Sequence, residues 1–234
     1  MSNTIQKKGA SPFDDVNSAK LEVLISLISE RTKYLPLNIL VVGCGTGREA
    51  GIFARRFNAD TIGIDIEKAF AFDHVGSAPA KLMNMDAQSL DFVDEQFDIV
   101  FSFHALEHIP NPKIALKEMS RVLRPGGIFC IGTPNKSRLI GYVNLGKTMG
   151  GIIRSNWNDW RMRLAGKWDN ALGAHAGFTA NELLNLCQEA FGEAQEISGE
   201  YYKSLYPRPI VRKLVVSQFR HSIYPCVYVI GHRT

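Results

Sequence analysis

NILVVGCGTGREAGIFARRFNADTIGID, residues 38–65, contains a complete strand–helix–strand unit. The aliphatic run Ile39, Leu40, Val41, Val42 reads as a buried parallel strand. It ends in Gly43-Cys44-Gly45-Thr46-Gly47, and an amphipathic segment follows with Ala50, Phe53, Ala54 and Phe57 on one helical face. A second apolar run, Thr61 to Ile64, closes on Asp65. The glycines allow a sharp turn and close approach of a ligand to the main chain. The helix N-terminus offers free N–H groups to an anion, and a carboxylate beyond the second strand can accept hydrogen bonds from both hydroxyls of a ribose. The ligand is then a dinucleotide or S-adenosylmethionine. The spacing Gly43-x-Gly45-x-Gly47 departs from the GxGxxG of dinucleotide sites, and Arg48 is a poor residue for close helix–strand packing.

A length of 234 residues suits one α/β domain with insertions, and 45% hydrophobic and 21% charged residues are those of a globular protein. No apolar run approaches the ~20 residues of a membrane span. The first residues, MSNTIQKKGASPF, show no signal-peptide pattern, so a cytoplasmic location is expected, with peripheral contact at the inner membrane surface as an extension of it. Cys44, Cys130, Cys187 and Cys226 lack metal-ligand spacing and read as buried thiols in a reducing compartment. Basic charge is concentrated in two blocks. Residues 138–168 carry six Lys/Arg and one acid, and residues 201–234 carry six Lys/Arg and none.

Along the chain, a helix is expected from about Asp14 to Tyr34, with Leu21, Leu24, Ile25 and Ile28 at helical spacing and Pro36 at its end. A short helix is expected over Glu67–His74, then a less apolar strand near an edge over Ala80–Met85, ending in Asp86-Ala87. FDIVFSF, residues 97–103, is a fourth buried strand. Asn111-Pro112 opens a helix with Asn as cap and Pro in the first turn, and Arg124-Pro125-Gly126-Gly127 is a turn before a fifth strand over Ile128–Gly132. Residues 136–176 read as a basic, Gly-rich loop with all three tryptophans, Trp157, Trp160 and Trp168. Thr179-Ala180-Asn181-Glu182 is a capping box. A sixth strand is expected over Glu193–Tyr201, a basic, partly helical segment over Pro207–Arg220, and a closing strand over Tyr224–Ile230.

The motifs VVGCGTG and IGID, with FDIVFSFHALEHIPNP and LKEMSRVLRPGG, resemble those of the class I S-adenosylmethionine-dependent methyltransferases, in particular the small-molecule group that includes the ubiquinone-pathway O-methyltransferases. The resemblance runs from Asn38 to Asn135. It implies a Rossmann-like, doubly wound sheet of seven mostly parallel strands with an antiparallel last strand and helices on both faces. It implies an arm and cap helix over 1–36, a cofactor-binding core over 37–135, a substrate-side insert over 136–178, and a completing helix and strands over 179–234. It implies S-adenosyl-L-methionine as cofactor, with contacts at Gly43, Cys44, Gly45, Gly47, Asp65, Ile66, Asp86, Ala87 and Phe103, Asp86 standing near the adenine amino group. The ubiquinone-pathway group has an acid where His104 stands, so no metal is expected.

Methyl transfer to a hydroxyl needs positioning and a base, and a histidine suits that task at neutral pH. His104, His108 and His175 lie where such a fold faces its cleft and are the candidate catalytic residues, with the Glu107-His108 pair also open to a structural or cofactor-side role. The expected acceptor is a small molecule, a glycan or a lipid-linked group, methylated at oxygen. Nucleic acid is not expected, because no recognised RNA-binding module is present. The basic blocks over 138–168 and 201–221 read either as solvated faces with core aromatics or as a positive, aromatic wall for the acceptor or a membrane surface. Two other functions stay open: a nicotinamide-dependent oxidoreductase on a similar frame, and a catalytically silent protein that binds the cofactor. The glycine spacing disfavours the first.

Overall fold

β1 (Asn38–Val42) lies at the centre of a seven-stranded sheet and sends its side chains into two cores. Ile39 and Val41 enter one, Leu40 and Val42 the other. A strand covered on both faces needs an apolar residue at every position, which explains the unbroken run. In this computed structural model residues 12–32, 37–67, 80–139, 149–172, 174–206, 222 and 224–234 are described. The expected helix over 67–74, the arm over 1–11 and the basic segment over 207–220 fall outside them, apart from Glu67.

The Gly-rich turn leads into α2 (Arg48–Phe57), which buries Ala50, Phe53 and Ala54. β2 (Asp60–Asp65) pairs parallel with β1, and β3 (Lys81–Asn84) pairs parallel with β2 as the expected edge strand. On the other side of β1 runs β4 (Phe97–Phe103), then β5 (Leu123–Pro134). β7 (Cys226–Arg233) is antiparallel to β5 and to β6 (Gly192–Glu196), giving the order β3-β2-β1-β4-β5-β7-β6. The seven-stranded sheet with an antiparallel last strand is therefore as expected. α3 (Pro112–Val122) and α5 (Ala180–Phe191) cover the face carrying Leu40 and Val42. α1 (Pro12–Ser29), α2 and α6 (Ser198–Leu205) cover the face carrying Ile39 and Val41.

Several boundaries differ from expectation for identifiable reasons. α1 ends at Ser29 because the side chains of Arg31 and Thr32 donate to the carbonyls of Leu27 and Ile28, at 2.9 and 2.8 Å, and satisfy its last turn. Asn111 precedes α3 without a side-chain capping bond; its carbonyl accepts from Ile114 and Ala115 instead. The turn Arg124–Gly127 is absorbed into β5 as an irregularity, where the β4 register shifts between Phe97 and Ile99. Arg124 there pairs with Asp98, whose other oxygen accepts from the Asn38 N–H. The sixth strand stops at Glu196, and the remainder of its expected span is α6. Tyr201 and Tyr202 explain this: in a strand they would face opposite sides, whereas α6 turns both into one core. The expected loop over 136–176 contains α4 (Met149–Leu164).

The capping box forms as read. The Glu182 N–H donates to the Thr179 hydroxyl at 3.2 Å, and the Thr179 N–H donates to the Glu182 carboxylate at 2.8 Å. Thr179→Ala should cost about 1 kcal/mol, lowering the melting midpoint by roughly 2–4 °C, with Thr179→Ser restoring most of it. Thermal unfolding followed by circular dichroism checks this; an unchanged midpoint would contradict it.

Candidate active site

The chain order reverses between β1 and β4, and there the carboxyl ends of adjacent strands leave a crevice. The three loop glycines serve different ends. Gly43, at φ 72°, sits so close to the segment after β4 that an added Cβ would lie 2.1 Å from Ala105 Cβ. Gly47 would meet Leu82 at 2.3 Å. Gly45, at φ 51°, faces open space, so there the missing side chain leaves room for a ligand. The Gly45 N–H donates to Asp65 Oδ2 at 2.8 Å, and the Glu67 N–H donates to Oδ1 at 3.0 Å. Asp65 thus holds the loop against the tip of β2 while each oxygen keeps further acceptor capacity.

Strand pairing brings the remaining expected contacts into one row. Asp65 is in register with Asn84, whose amide donates to the carbonyls of Asp65 and Ile66. Asp86 and Ala87 follow at the next tip, and Asp86 Oδ1 accepts from the Gln88 N–H at 2.8 Å. Ile66 is 68% exposed, a large apolar side chain beside the ribose-type carboxylate. Phe103 ends β4 next to the glycine loop, its ring 4.0 Å from that of His104. Cys44 is buried between the glycines, and burial first, then the charges of Asp65 and Glu49, push its thiol up to about 12. It is therefore a packed thiol rather than a nucleophile.

Beyond Phe103 opens a cavity of about 530 Å³ that all three candidate histidines line. Its floor comes from Phe103, His104, Glu107 and Tyr228, and α1 contributes Lys20, Leu21 and Leu24 to its wall. His104 follows β4 in a left-handed conformation, φ 54°. Its Nδ1 lies 3.3 Å from Glu107 Oε1 and its Nε2 lies 3.5 Å from Cys226 Sγ. Burial works against charge on this ring, but the hydrogen bonds with Cys226 and Glu107 overcome it and raise its pKa to about 10. The buried Glu107 carboxylate thus favours the charged form of the His104 ring, whose side chain is 43% exposed. Glu107 is buried, and its Oε2 has no hydrogen-bond partner among the described residues. His108 and His175 meet edge to face, ring centres 4.7 Å apart, and both are largely outside the core.

The sequence reading did not anticipate the aromatic wall. Tyr201, Tyr202 and Tyr206 of α6 and its flank, with Tyr228 of β7, line the cavity, and burial raises the pKa of each hydroxyl. The signal was the helical spacing of Tyr201, Tyr202, Leu205 and Tyr206, obscured by the strand expected there. Glu49, in the first turn of α2, also lines the cavity; burial raises its carboxyl against the opposing charges of His104 and Arg48. The proposed positive wall divides. Arg163 donates to the Lys136 and Arg138 carbonyls and stacks on Trp168 at 4.4 Å, and Arg138 is buried, pairs with Asp159 at 3.0 Å and lies 4.9 Å from the Trp168 ring. These residues tie α4 to the end of β5, so Trp168 and Arg163 are packing elements rather than an open acceptor wall.

Residues 40–131 match the family model for a methyltransferase domain. The chain is 29% identical over 138 residues to a mitochondrial ubiquinone biosynthesis O-methyltransferase of Dictyostelium discoideum, covering 51% of this chain and 43% of that protein. It is 35% identical over 96 residues to a phosphatidylethanolamine N-methyltransferase of Cereibacter sphaeroides, covering 38% and 46%. This chain thus spans less than half the length of either relative. The structure is similar to that of the plantazolicin methyltransferase BpumL, solved with a triazolic desmethylPZN analog and SAH, at a TM-score of 0.62 and 16% identity, covering 96% of this chain and 86% of that one.

The chain has the class I S-adenosylmethionine-dependent methyltransferase fold.

The cradle fits that cofactor: open space at Gly45, a carboxylate at Asp65 for ribose hydroxyls, exposed Ile66 for a flat base, and Asp86 at the next strand tip. Within this methyltransferase fold the two halves of the crevice carry different chemistry, a cradle rich in hydrogen-bond acceptors on the β2 side and a histidine-lined cavity on the β5 side. His104 should remain protonated through neutrality. Its raised pKa stabilises the folded state fully below the ordinary histidine value of 6.5, and that contribution is lost as pH rises through about 10. An NMR titration of the His104 ring should show no deprotonation between about pH 6 and 8, and Glu107→Gln should shift its midpoint downward. A wild-type midpoint at the ordinary histidine value would overturn the assignment.

Proposed function

We propose that the chain transfers the methyl group of S-adenosylmethionine to an oxygen of a small, lipid-linked or glycan-type acceptor bound in the histidine-lined cavity. One observation carries this reading: a cavity large enough for a small molecule starts at Phe103 and Glu49, beside the cofactor cradle, and holds three histidines. When bound, the cofactor supplies an electrophilic methyl on a good leaving group.

The chain's own residues then have separable tasks. Phe103 and the tyrosine rings exclude water and orient an apolar acceptor body. His104, held charged by Glu107, stabilises an acceptor oxygen as it becomes anionic. In this reading His104 polarises the acceptor rather than taking its proton. His108 and His175 stand together on the cavity wall, and one of them takes the hydroxyl proton. An acceptor carried on a lipid is supported by the relatives, one named for a phospholipid and one for ubiquinone biosynthesis.

Isothermal titration should show S-adenosylhomocysteine binding and no comparable binding of NAD. Asp65→Ala removes the ribose contact and the Gly45 tether together, so S-adenosylhomocysteine affinity should fall by roughly one to two decades, a loss of ~1.5–3 kcal/mol. Tighter binding of NAD would sink the proposal and restore the oxidoreductase alternative. Incubation with trideuteromethyl-labelled cofactor and fractionated cell extracts, followed by mass spectrometry, should place the label in the organic-soluble fraction. Label confined to protein or RNA would exclude the acceptor class named here.

A further inference from the structure

α4 has its amphipathicity reversed. Its half-buried side holds polar groups: Asp159 pairs with buried Arg138, and Arg163 binds two carbonyls and stacks on Trp168. Its outer side is apolar. Ile153, Trp157, Trp160 and Leu164 are 66, 61, 39 and 80% exposed. At 3.6 residues per turn these positions fall within an arc of about 60°, so they form one stripe along the helix. The Trp160 indole N–H donates to the carbonyl of Leu139, whose own side chain is exposed beside it. A helix that only filled space over the sheet would present the opposite pattern.

The exposed charges on the helix beside the stripe share one sign, and Asp169, just past it, pairs with Lys136 at 3.8 Å. Arg154 and Arg161 are exposed along one flank, and Lys167 follows the helix. The sole acid of residues 138–168, Asp159, is turned inward onto Arg138. Tryptophan beside arginine and lysine is the composition of an element lying in a lipid headgroup region: indole rings settle at the interface, leucine and isoleucine reach the acyl boundary, and the cations meet anionic headgroups. No described helix is long and apolar enough to cross a membrane, so the contact available to this face is peripheral.

We propose that the exposed face of α4 docks the protein on an anionic bilayer surface. The position of the helix gives this a use. Arg138 lines the acceptor cavity and pairs with Asp159 of α4, so one buried ion pair joins the cavity wall to the docking helix. A bilayer seated on the stripe would lie beside the cavity through which an acceptor enters. The docking itself does not depend on methyl transfer, and it is measured without any acceptor.

The test is sedimentation of the full chain with vesicles of phosphatidylcholine alone or mixed with phosphatidylglycerol. Binding should require the anionic lipid and weaken steeply as salt rises, because screening acts over about 10 Å at 0.1 M. Arg154→Gln with Arg161→Gln should weaken it by roughly fivefold per charge. Ile153→Ser, Trp157→Ser and Leu164→Ser together should weaken it at least about tenfold while leaving S-adenosylhomocysteine affinity and the circular dichroism spectrum unchanged. Brominated lipid should quench wild-type fluorescence more than that of Trp157→Phe. Equal binding to neutral and anionic vesicles, or no binding by the wild type, would overturn the proposal. So would a lipid-free dimer in analytical ultracentrifugation that the triple serine variant makes monomeric, since the stripe would then belong to a second copy.

Discussion

The hydrogen bond from the Gly45 N–H to Asp65 Oδ2, at 2.8 Å, ties the glycine loop after β1 to the carboxylate at the tip of β2. Its neighbours make it possible. Gly43 and Cys44 both donate to the Ile64 carbonyl, at 2.8 and 3.0 Å, so the loop folds back over the β2 edge before α2 begins. Gly43 must lack a Cβ because Ala105 occupies that space, and this close approach seats the segment after β4 against the same loop. Cradle and cavity therefore share one wall. The main chain of the loop faces the cradle, and the segment pressed against Gly43 carries His104 and Glu107 toward the cavity.

That shared wall also explains the charge arrangement. Burying Glu107 is costly unless it is paired, and His104 supplies the pairing cation at 3.3 Å. The same pairing favours the charged form of the His104 ring. The pair is a fixed dipole whose positive end borders the cavity, set before any ligand arrives. A preorganised pair of this kind favours a ligand that places a polar, electron-rich group against the ring.

The parts legible in the sequence were those governed by local rules. The run 38–65 specifies its own strand, turn and helix, because the glycines, the apolar periods and the terminal Asp65 act within a few residues of one another. The capping box at Thr179 is equally local. What escaped depended on distant partners. Tyr201 and Tyr202 form a helix because the aromatic cluster with Tyr224 and Tyr228 accepts both on one side. The tryptophans of 138–168 could not be sorted by composition. Trp168 is held by two guanidinium groups and the Lys136 carbonyl, while Trp157 is left outside, and only the packing of α4 distinguishes them. The three histidines were picked out individually. That they share a cavity, and that one of them is held between Glu107 and Cys226, depends on residues distant in the chain.

The division of labour follows from how each side is built. The cradle stands on the ends of four parallel strands, β3, β2, β1 and β4, whose positions are tied by ladder hydrogen bonds and cannot shift singly. Recognition of a common cofactor suits such a rigid edge. The acceptor side is closed by α1, α6 and the segment joined to α4, elements that meet the sheet through side chains. Side-chain contacts can be exchanged without disturbing the strand order, so this is where one fold can be fitted to different acceptors. In this chain those elements contribute a tyrosine wall, a histidine paired with Glu107 and a buried Arg138–Asp159 pair. The first two shape the cavity, and the third fixes how the outer helix is presented. The exposed apolar stripe is thus a consequence of turning the polar side of α4 inward to reach Arg138.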